Sequence, residues 1–273
     1  MVGDLIATTS FRKLVNTTIR EIRKIGSKFK NIYAMFSGGR DSLVTLHLSL
    51  RATKNKVEAL FIDTGISTPG LKEYVENIAK EFNVKLNIVS PKYNYFELVL
   101  KKGFPTITRR WCKEYLKLKP LKDWINERDP EKILLITGVR ADESWMKART
   151  VKLLKHKILK AATYAPILYW TEEEVKEYIK FYKLRECPLY ETYGKAYDCW
   201  CSVFKSPADF ATLAIINPKF FEKFVKLERK LRSKGSGLYY SGRKIYLKDI
   251  AISPGNYLNY PKLYKCPLCT TLV

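Results

Sequence analysis

The sequence holds no glutamine and only two histidines, His47 and His156, in 273 residues. So few imidazoles leave a Cys/His zinc finger or a Ser-His-Asp triad poorly supported. His47 stands in the apolar stretch LVTLHLSL and reads as a structural residue. No apolar run approaches the roughly 20 residues of a membrane-spanning helix, so no membrane partner is expected. The start, MVGDLIATTSFRK, lacks a basic stretch followed by an apolar one. No secretory signal is therefore expected, and the chain reads as soluble and cytoplasmic. There is no internal repeat and no low-complexity segment. Missing glutamine with abundant lysine, isoleucine and tyrosine fits a hot environment, although asparagine is not depleted.

Acidic residues are also short: 27 Asp+Glu stand against 50 Lys+Arg, a formal net charge of +23. A compact domain with that excess repels itself unless anions sit on it. The imbalance points to a polyanion partner, tRNA or DNA first, or else to a basic surface around a site for a highly charged nucleotide. With 46% hydrophobic and 28% charged residues the composition is globular, not disordered. The length fits one large domain or one domain with a smaller appendage.

Periodicity orders the chain. Phe11, Leu14, Val15, Ile19, Ile22 and Ile25 fall at helical spacing, which predicts a leading amphipathic helix over 10–29. NIYAMF (31–36), VEALFID (57–63), VKLNIVS (84–90), ILLITGV (133–139) and a short run at 164–168 predict strands. A helix is predicted from Ser42, and another from Thr68-Pro69 with Thr68 as its cap. Thr171 with Glu174 is a capping box. Strands alternating with helices imply an α/β fold: a parallel twisted sheet covered on both faces. Ligands then bind beyond the carboxyl ends of the strands, where the polar loops 37–42, 63–67 and 138–144 converge. After about Ser202 the pattern changes. Ser206-Pro207 starts a helix, and a strongly basic amphipathic helix at 220–234 precedes a tail ending in CPLC. The expected division is a nucleotide-binding domain over 1–203 and a basic helical, cysteine-bearing segment over 204–273.

FSGGRDSLVTLHL carries the most information. A strand, Ser-Gly-Gly-X-Asp-Ser and a helix form a phosphate-binding arrangement. Gly38 and Gly39 allow a tight turn with exposed amides, Ser37 and Ser42 add hydroxyls, and the helix N-terminus adds its positive end. Neither a GxGxxG nor a GxxxxGKS pattern is present.

On these residues the sequence resembles the PP-loop superfamily of N-type ATP pyrophosphatases and adenine nucleotide alpha-hydrolase-like proteins. More narrowly, it resembles the phosphoadenosine phosphosulfate (PAPS) reductase family. FSGGRDS looks like the pyrophosphate loop and FIDTGISTPG like the family's second-strand segment. ITGVRADES with Arg149, and PILYWTEEEVKEYIKFYKLRECPLY, look like its third and fourth. The resemblance implies that Ser37, Gly38, Gly39, Arg40, Asp41 and Ser42 hold nucleotide phosphates, and that Asp63 and Thr64 lie near the nucleotide or its Mg2+. It puts Gly138 and Arg140 beside ribose and phosphates, with Arg149 as a further anion ligand or else a surface salt bridge. Asp41, Ser42 and Arg149 are the candidate catalytic residues.

Two departures bear on the reaction. The reductases' C-terminal Glu-Cys-Gly-Leu-His segment is replaced by LYKCPLCTTLV, and the intact SGGRDS is that of ATP-splitting relatives. Both favour ATP, cleaved to an adenylated intermediate and pyrophosphate, over PAPS or adenosine phosphosulfate. Cys266 or Cys269 as a distal nucleophile keeps reductase chemistry open. Iron–sulfur members carry a tandem Cys-Cys and a later Cys-x-x-Cys. Here Trp111-Cys112 and Cys199-x-Cys201 occupy those places. Cys112, Cys199, Cys201 and one of Cys266 and Cys269 make a set for an iron–sulfur cluster. Cys199, Cys201, Cys266 and Cys269 make one for Zn2+. The alternative is that the thiols are simply buried, as Cys187 reads best.

The leading expectation is an adenylating transferase of sulfur metabolism that thiolates tRNA or DNA with a sulfur donor protein. The helix 220–234 and Trp200, Tyr239, Tyr240, Tyr257 and Tyr260 are candidates to contact that nucleic acid. The alternatives are a sulfonucleotide reductase using a thiol reductant, an ATP sulfurylase-like subunit needing a GTPase partner, and a non-catalytic nucleic-acid-binding protein. Assembly as a homodimer is left open.

Overall fold

The computed structural model describes residues 2–106, 108–143, 152–203, 205–231, 238–240 and 243–261. Helix α1 (Val2–Gly26) leads, followed by β1 (Asn31–Met35), α2 (Arg40–Thr53), β2 (Glu58–Ile62), α3 (Leu71–Glu81), β3 (Leu86–Val89) and α4 (Tyr95–Lys102). Helix α5 (Trp111–Lys113) passes through a π-turn (Glu114–Leu118) into α6 (Lys119–Asn126). Next come β4 (Ile133–Ile136), β5 (Leu153–Lys155), β6 (Ala162–Tyr164), α7 (Glu172–Phe181) and α8 (Leu189–Tyr193). Helices α9 (Pro207–Ile216) and α10 (Pro218–Leu231), a two-stranded pair β7 (Leu238–Tyr240) and β8 (Arg243–Ile245), and α11 (Leu247–Ile252) complete the described order. Among the described residues no helix is long and apolar enough to cross a membrane.

The main sheet has the order β3-β2-β1-β4-β6-β5. Five strands run parallel, and β5 closes one edge antiparallel to β6. The chain steps outward from β1 to β2 and β3, then returns to the other side of β1 at β4. That reversal opens a crevice between the carboxyl ends of β1 and β4. One face packs on α1, α2, α3 and α7 through Val15, Ile22, Leu46, Phe61, Val75 and Tyr178. The other packs on α6 through Tyr33, Leu60, Leu121, Ile125 and Leu135. A second core joins Tyr95, Trp111 and Leu116 to Trp200, Phe210, Phe224 and Leu247.

Three expectations are corrected. The sheet is mixed, because its edge strand β5 runs antiparallel to β6. The run at 164–168 is not a strand: β6 ends at Tyr164, and residues 166–169 form a turn containing Pro166. Thr68 does not cap α3. Gly70 takes the cap with a φ of 89°, and the Thr68 hydroxyl donates instead to the Tyr197 carbonyl at 3.1 Å. The Thr171 capping box is present, with Glu174 N donating to Thr171 Oγ1 at 3.1 Å and Thr171 N to Glu174 Oε2 at 2.7 Å.

Helix α10 covers most of the expected basic helix at 220–234; residues 232–234 lie outside the described residues. Its Phe221, Phe224, Val225 and Leu231 are buried, and Lys219, Lys223, Lys226 and Lys230 are exposed.

His47 occupies the structural role expected of it. Its Nδ1 lies 2.9 Å from the Tyr178 hydroxyl, and the ring is wedged against Phe82 and Tyr182. Burial, assisted by Arg51, lowers its pKa from 6.5 to about 4. The unfolded chain therefore takes up a proton that the folded protein refuses until the pH falls to about 4. This contribution is complete above pH 6.5 and is lost as the pH falls towards 4. It amounts to at most about 3 kcal/mol. Urea unfolding at descending pH should show a destabilisation in the wild type that His47→Gln reduces.

Candidate nucleotide and thiol site

Strand β1 delivers the loop to the crevice. Phe36 N still donates to Leu60 O at 2.9 Å, and the chain then turns at Gly38, where φ is 82°. A Cβ at Gly38 would meet Leu71 Cδ1 at 2.5 Å, so the position needs glycine for both conformation and space. Gly39 caps α2, and its carbonyl accepts from Leu43 N at 2.9 Å and from Ser42 Oγ at 2.8 Å. Ser42 Oγ also accepts from Ser37 N, and from Ser37 Oγ, each at 3.3 Å. Amides, hydroxyls and the N-terminus of α2 thus gather on one turn, the arrangement that attracts a phosphate.

The loop is held from two sides. Arg40 turns to α8 and its approach: its amide donates to the Tyr190 hydroxyl at 3.1 Å, its guanidinium lies 4.1 Å over the Tyr190 ring, and its Nε pairs with Glu186. From β4, Gly138 touches the loop backbone. A Cβ there would stand 2.7 Å from the carbonyl carbon and oxygen of Asp41 and 2.8 Å from Ser42 N. Arg140, 2% exposed, donates from Nε to Asp41 Oδ1 at 2.9 Å and from Nη1 to Asp142 Oδ2 at 2.5 Å. Asp41 and Arg140, both expected at the nucleotide, therefore meet as a clamp between α2 and β4.

The second loop continues β2. Asp63 Oδ1 accepts from Gly65 N at 3.0 Å, and Oδ2 lies 3.1 Å from Lys72 Nζ. Thr64, 1% exposed, donates to the Asp198 carbonyl at 2.9 Å. Trp200 N donates to Ile66 O at 2.8 Å, and Trp200 Nε1 to Thr68 Oγ1 at 3.0 Å. These bonds tie the second loop to residues 197–200, which include Cys199 and lead into Cys201. They also correct the expectation that Trp200 stacks on bases: it is wholly buried. Tyr257 and Tyr260 stack on each other at 5.7 Å. The side chains of Tyr239 and Tyr240 lie outside the described residues, as does Arg149 with Cys266 and Cys269.

Cys112, Cys199 and Cys201 are buried and gather about Tyr95. Cys199 Sγ and Cys201 Sγ are 3.6 Å apart. Burial first, and the neighbouring thiols second, push the Tyr95 hydroxyl well above its usual pKa. It has no hydrogen-bond partner of good geometry, since Ser202 Oγ beside it turns to the Cys201 carbonyl at 2.5 Å. Trp111, in the place of the tandem motif's first cysteine, stacks on Tyr95 at 5.7 Å and leaves its buried Nε1 unpartnered. Among the described residues no three His, Cys, Asp or Glu side chains stand at metal-binding spacing. Thiolates are the ligands that thiophilic metals favour, and the buried Tyr95 hydroxyl and Trp111 Nε1 beside these thiols have no hydrogen-bond partner among the described residues.

The sequence reading missed Lys117. The π-turn carries it to Asp198, where Nζ and Oδ2 are 2.5 Å apart, next to Cys199. Burial raises the Asp198 carboxyl pKa against the opposing pull of Lys117. A lysine in a basic, helix-forming run gives no sequence signal of such a partner. Cys187 is buried among apolar residues of the main core, as expected, and burial raises its thiol pKa.

Residues 31–211 match the Phosphoadenosine phosphosulfate reductase domain. The protein MJ0066 of Methanocaldococcus jannaschii is 31% identical over 210 residues, covering 75% of this chain and 43% of that protein. An adenosine 5'-phosphosulfate reductase of Staphylococcus haemolyticus is 24% identical over 60% of this chain and 66% of its own. FMN adenylyltransferase of Candida glabrata superposes with a TM-score of 0.53 at 16% identity, over 68% of this chain and 60% of that one. PAPS reductase of Candida auris does so with a TM-score of 0.51 at 22% identity, over 66% and 89%. The chain spans about half the length of the Methanocaldococcus proteins it matches, 43% of MJ0066 and 53% of MJ0973. The structural likenesses describe an adenine nucleotide alpha-hydrolase-like fold, and with the matched domain covering most of β1 to α9 the chain belongs to the PAPS reductase family.

Proposed function

We propose that the chain is an adenine-nucleotide-dependent enzyme of sulfur metabolism that splits ATP between its α and β phosphates and uses the adenylate to thiolate tRNA or DNA. The intact Ser37–Ser42 turn carries this reading: two hydroxyls and a helix N-terminus flank a glycine pair, and Gly138 after β4 packs against the backbone of Asp41 and Ser42. Support comes from the Candida glabrata FMN adenylyltransferase, which shares the fold and has been solved with ATP and with FAD and pyrophosphate.

In this mechanism the amides of Gly38 and Gly39 and the hydroxyls of Ser37 and Ser42 bind the β and γ phosphates. There they stabilise the charge that grows on the leaving pyrophosphate. An oxygen of the acceptor attacks the α phosphorus, and the α–β bridging oxygen leaves with pyrophosphate. A sulfur nucleophile from the donor then attacks the atom bearing the adenylated oxygen, a base carbon or a backbone phosphorus, and AMP leaves with that oxygen. Asp41 is positioned by Arg140, and Arg149 is proposed as a further phosphate ligand. Asp63 supplies the hard oxygen suited to Mg2+, which would neutralise the phosphates. Cys112, Cys199 and Cys201, with Cys266 or Cys269, are the proposed ligands of an iron–sulfur cluster; Zn2+ on Cys199, Cys201, Cys266 and Cys269 is the other assignment. Such a group would supply thiophilic binding or electrons beside the nucleotide.

Adenosine phosphosulfate reductases at 24–26% identity favour a second reading. A cysteine thiolate would attack the sulfate sulfur and release AMP. A second thiol would then free sulfite and leave a disulfide.

The test is anaerobic purification followed by parallel assays. Pyrophosphate release from ATP, stimulated by tRNA or DNA and lowered about 100-fold by Ser42→Ala, is the expected result. Sulfite release from adenosine phosphosulfate with a thiol, and no ATP cleavage, would establish the second reading instead. A brown protein containing iron supports the cluster, and a colourless one containing zinc the other assignment.

A further inference from the structure

Beyond β3, on the sheet face opposite α2, lies a cavity of about 180 Å³ lined by Val89, Tyr93, Tyr115, Lys119, Asp123 and Trp124, among others. None of the loop residues described above contributes to it. Tyr93, 41% exposed, meets Tyr115 edge to face at 5.5 Å. Lys119 Nζ lies 5.3 Å from the Tyr93 ring and 6.0 Å from that of Tyr115, and Lys102 Nζ lies 4.8 Å from Tyr115. Trp124 is braced below by Tyr33 at 4.8 Å and covered on one face by Arg128 at 3.8 Å. Arg128 is not part of the lining, so indole surface remains towards the cavity. Exposed Lys92 lines the cavity with Lys119, and the wall carries two carboxylates, each with one oxygen near a cation: Asp123 Oδ2 lies 3.9 Å from Lys92 Nζ and Glu127 Oε2 3.4 Å from Arg128 Nη1.

We propose that this cleft is a second binding site, which takes one unstacked nucleobase of a single-stranded polynucleotide while the surrounding lysines hold the flanking phosphates. The inference rests on the polynucleotide acceptor proposed above and names where that acceptor is gripped. Three features select a base over other planar groups. The volume suits one ring system and is well below the ~300–1,000 Å³ of pockets that enclose a whole drug-sized ligand. Aromatic walls offer stacking surface that any base can use. Carboxylates at the wall accept hydrogen bonds from exocyclic amines, as they do from cytosine in duplex readout. The cations at the rim match a phosphodiester chain on both sides of the base.

The cleft also adjoins the thiols. Tyr93 precedes Tyr95 by two residues, and Tyr115 follows Cys112 by three. The segments that form the cleft thus also carry Tyr95 and Cys112 of the cysteine cluster.

The test is titration of the full-length protein with a short fluorescein-labelled single-stranded RNA, read by anisotropy and by intrinsic tryptophan emission. The wild type is expected to bind with salt-dependent affinity and to lose tryptophan emission. Tyr93→Ala and Tyr115→Ala should each weaken binding about tenfold. Trp124→Phe, which preserves the packing on Tyr33, should abolish most of the quenching. Lys119→Glu should weaken binding and flatten the salt slope, and Lys24→Glu on α1 should act much less. If the wild type binds but the aromatic variants bind equally well, the cleft assignment is wrong and the acceptor reading stands. If polyglutamate competes as well as RNA and Trp124 emission does not change, the surface reads charge alone and the assignment is again overturned. If the wild type binds no RNA or DNA strand, both the cleft and the polynucleotide acceptor fall.

Discussion

Gly138→Ala is expected to abolish measurable nucleotide binding. The added methyl would lie 2.7 Å from the carbonyl carbon and oxygen of Asp41 and 2.8 Å from Ser42 N. These are backbone atoms at the start of α2, so no side-chain rotation relieves the clash. Either β4 or the phosphate loop must move. Overpacking of this kind costs about 1–3 kcal/mol, and backbone against backbone belongs at the upper end. The effect on binding is larger than the effect on folding. Displacing the loop misaligns several donors at once, and each hydrogen bond to a charged phosphate is worth about 1.5–3 kcal/mol. Losing two of them weakens binding about 100-fold or more. Isothermal titration with ATP or adenosine phosphosulfate, beside a thermal melt, separates the two effects. A variant that binds like the wild type would show that the loop is not the phosphate site.

The second large effect is expected at Arg140. Arg140→Met leaves Asp41 facing a buried methionine, with only 14% of the carboxylate side chain exposed. Removing one partner of such a pair typically costs about 3–5 kcal/mol, because the remaining charge loses its compensating cation. Asp142 is nearly half exposed and turns to water at little cost. A loss of about 3 kcal/mol corresponds to roughly 6–12 °C in Tm for a chain near this size. Arg140→Lys should recover little, since one ammonium cannot reach both carboxylates as the planar guanidinium does. Arg140→Met with Asp41→Asn should regain part of the loss, because no charge is left behind. A thermal melt of the four proteins tests this. Equal Tm values for wild type and Arg140→Met would mean that the clamp contributes nothing to stability.

Much of this arrangement is legible in the sequence because local and long-range preferences agree. The runs at β1, β2 and β4 are apolar, short and bounded by turn residues, and they become inner strands of the sheet. Thr171 and Glu174 announce their helix start, and Gly38 and Gly39 announce the turn before α2. What is not legible depends on distant partners. β5 has three residues, with Leu153 and Lys155 exposed on either side of Leu154. It forms because β6 offers an edge, not because its residues alternate. Thr68 looks like a cap, but Tyr197 and Trp200 claim its hydroxyl from a segment far along the chain. Trp200 looks available for stacking until the second core closes over it. Lys117 belongs to a run of lysines, and only the π-turn separates it from its exposed neighbours. The aromatic cleft is likewise invisible in sequence, since Tyr93, Tyr115 and Trp124 meet only through the packing of α6 on the sheet.

The second core sets a timetable for the nascent polypeptide. Tyr95 and Phe96 pack on Phe224, at 6.3 and 5.4 Å between ring centres. Helix α4 emerges from the ribosome long before α10 is made. At about 5–20 residues per second the delay is on the order of ten seconds. Throughout it, the aromatic surface of Tyr95, Phe96 and Trp111 has no cover from its later partners, and the thiol of Cys112 waits beside it. Protection of that surface during synthesis, by a chaperone or by rapid elongation, is thus a requirement written into the order of the helices.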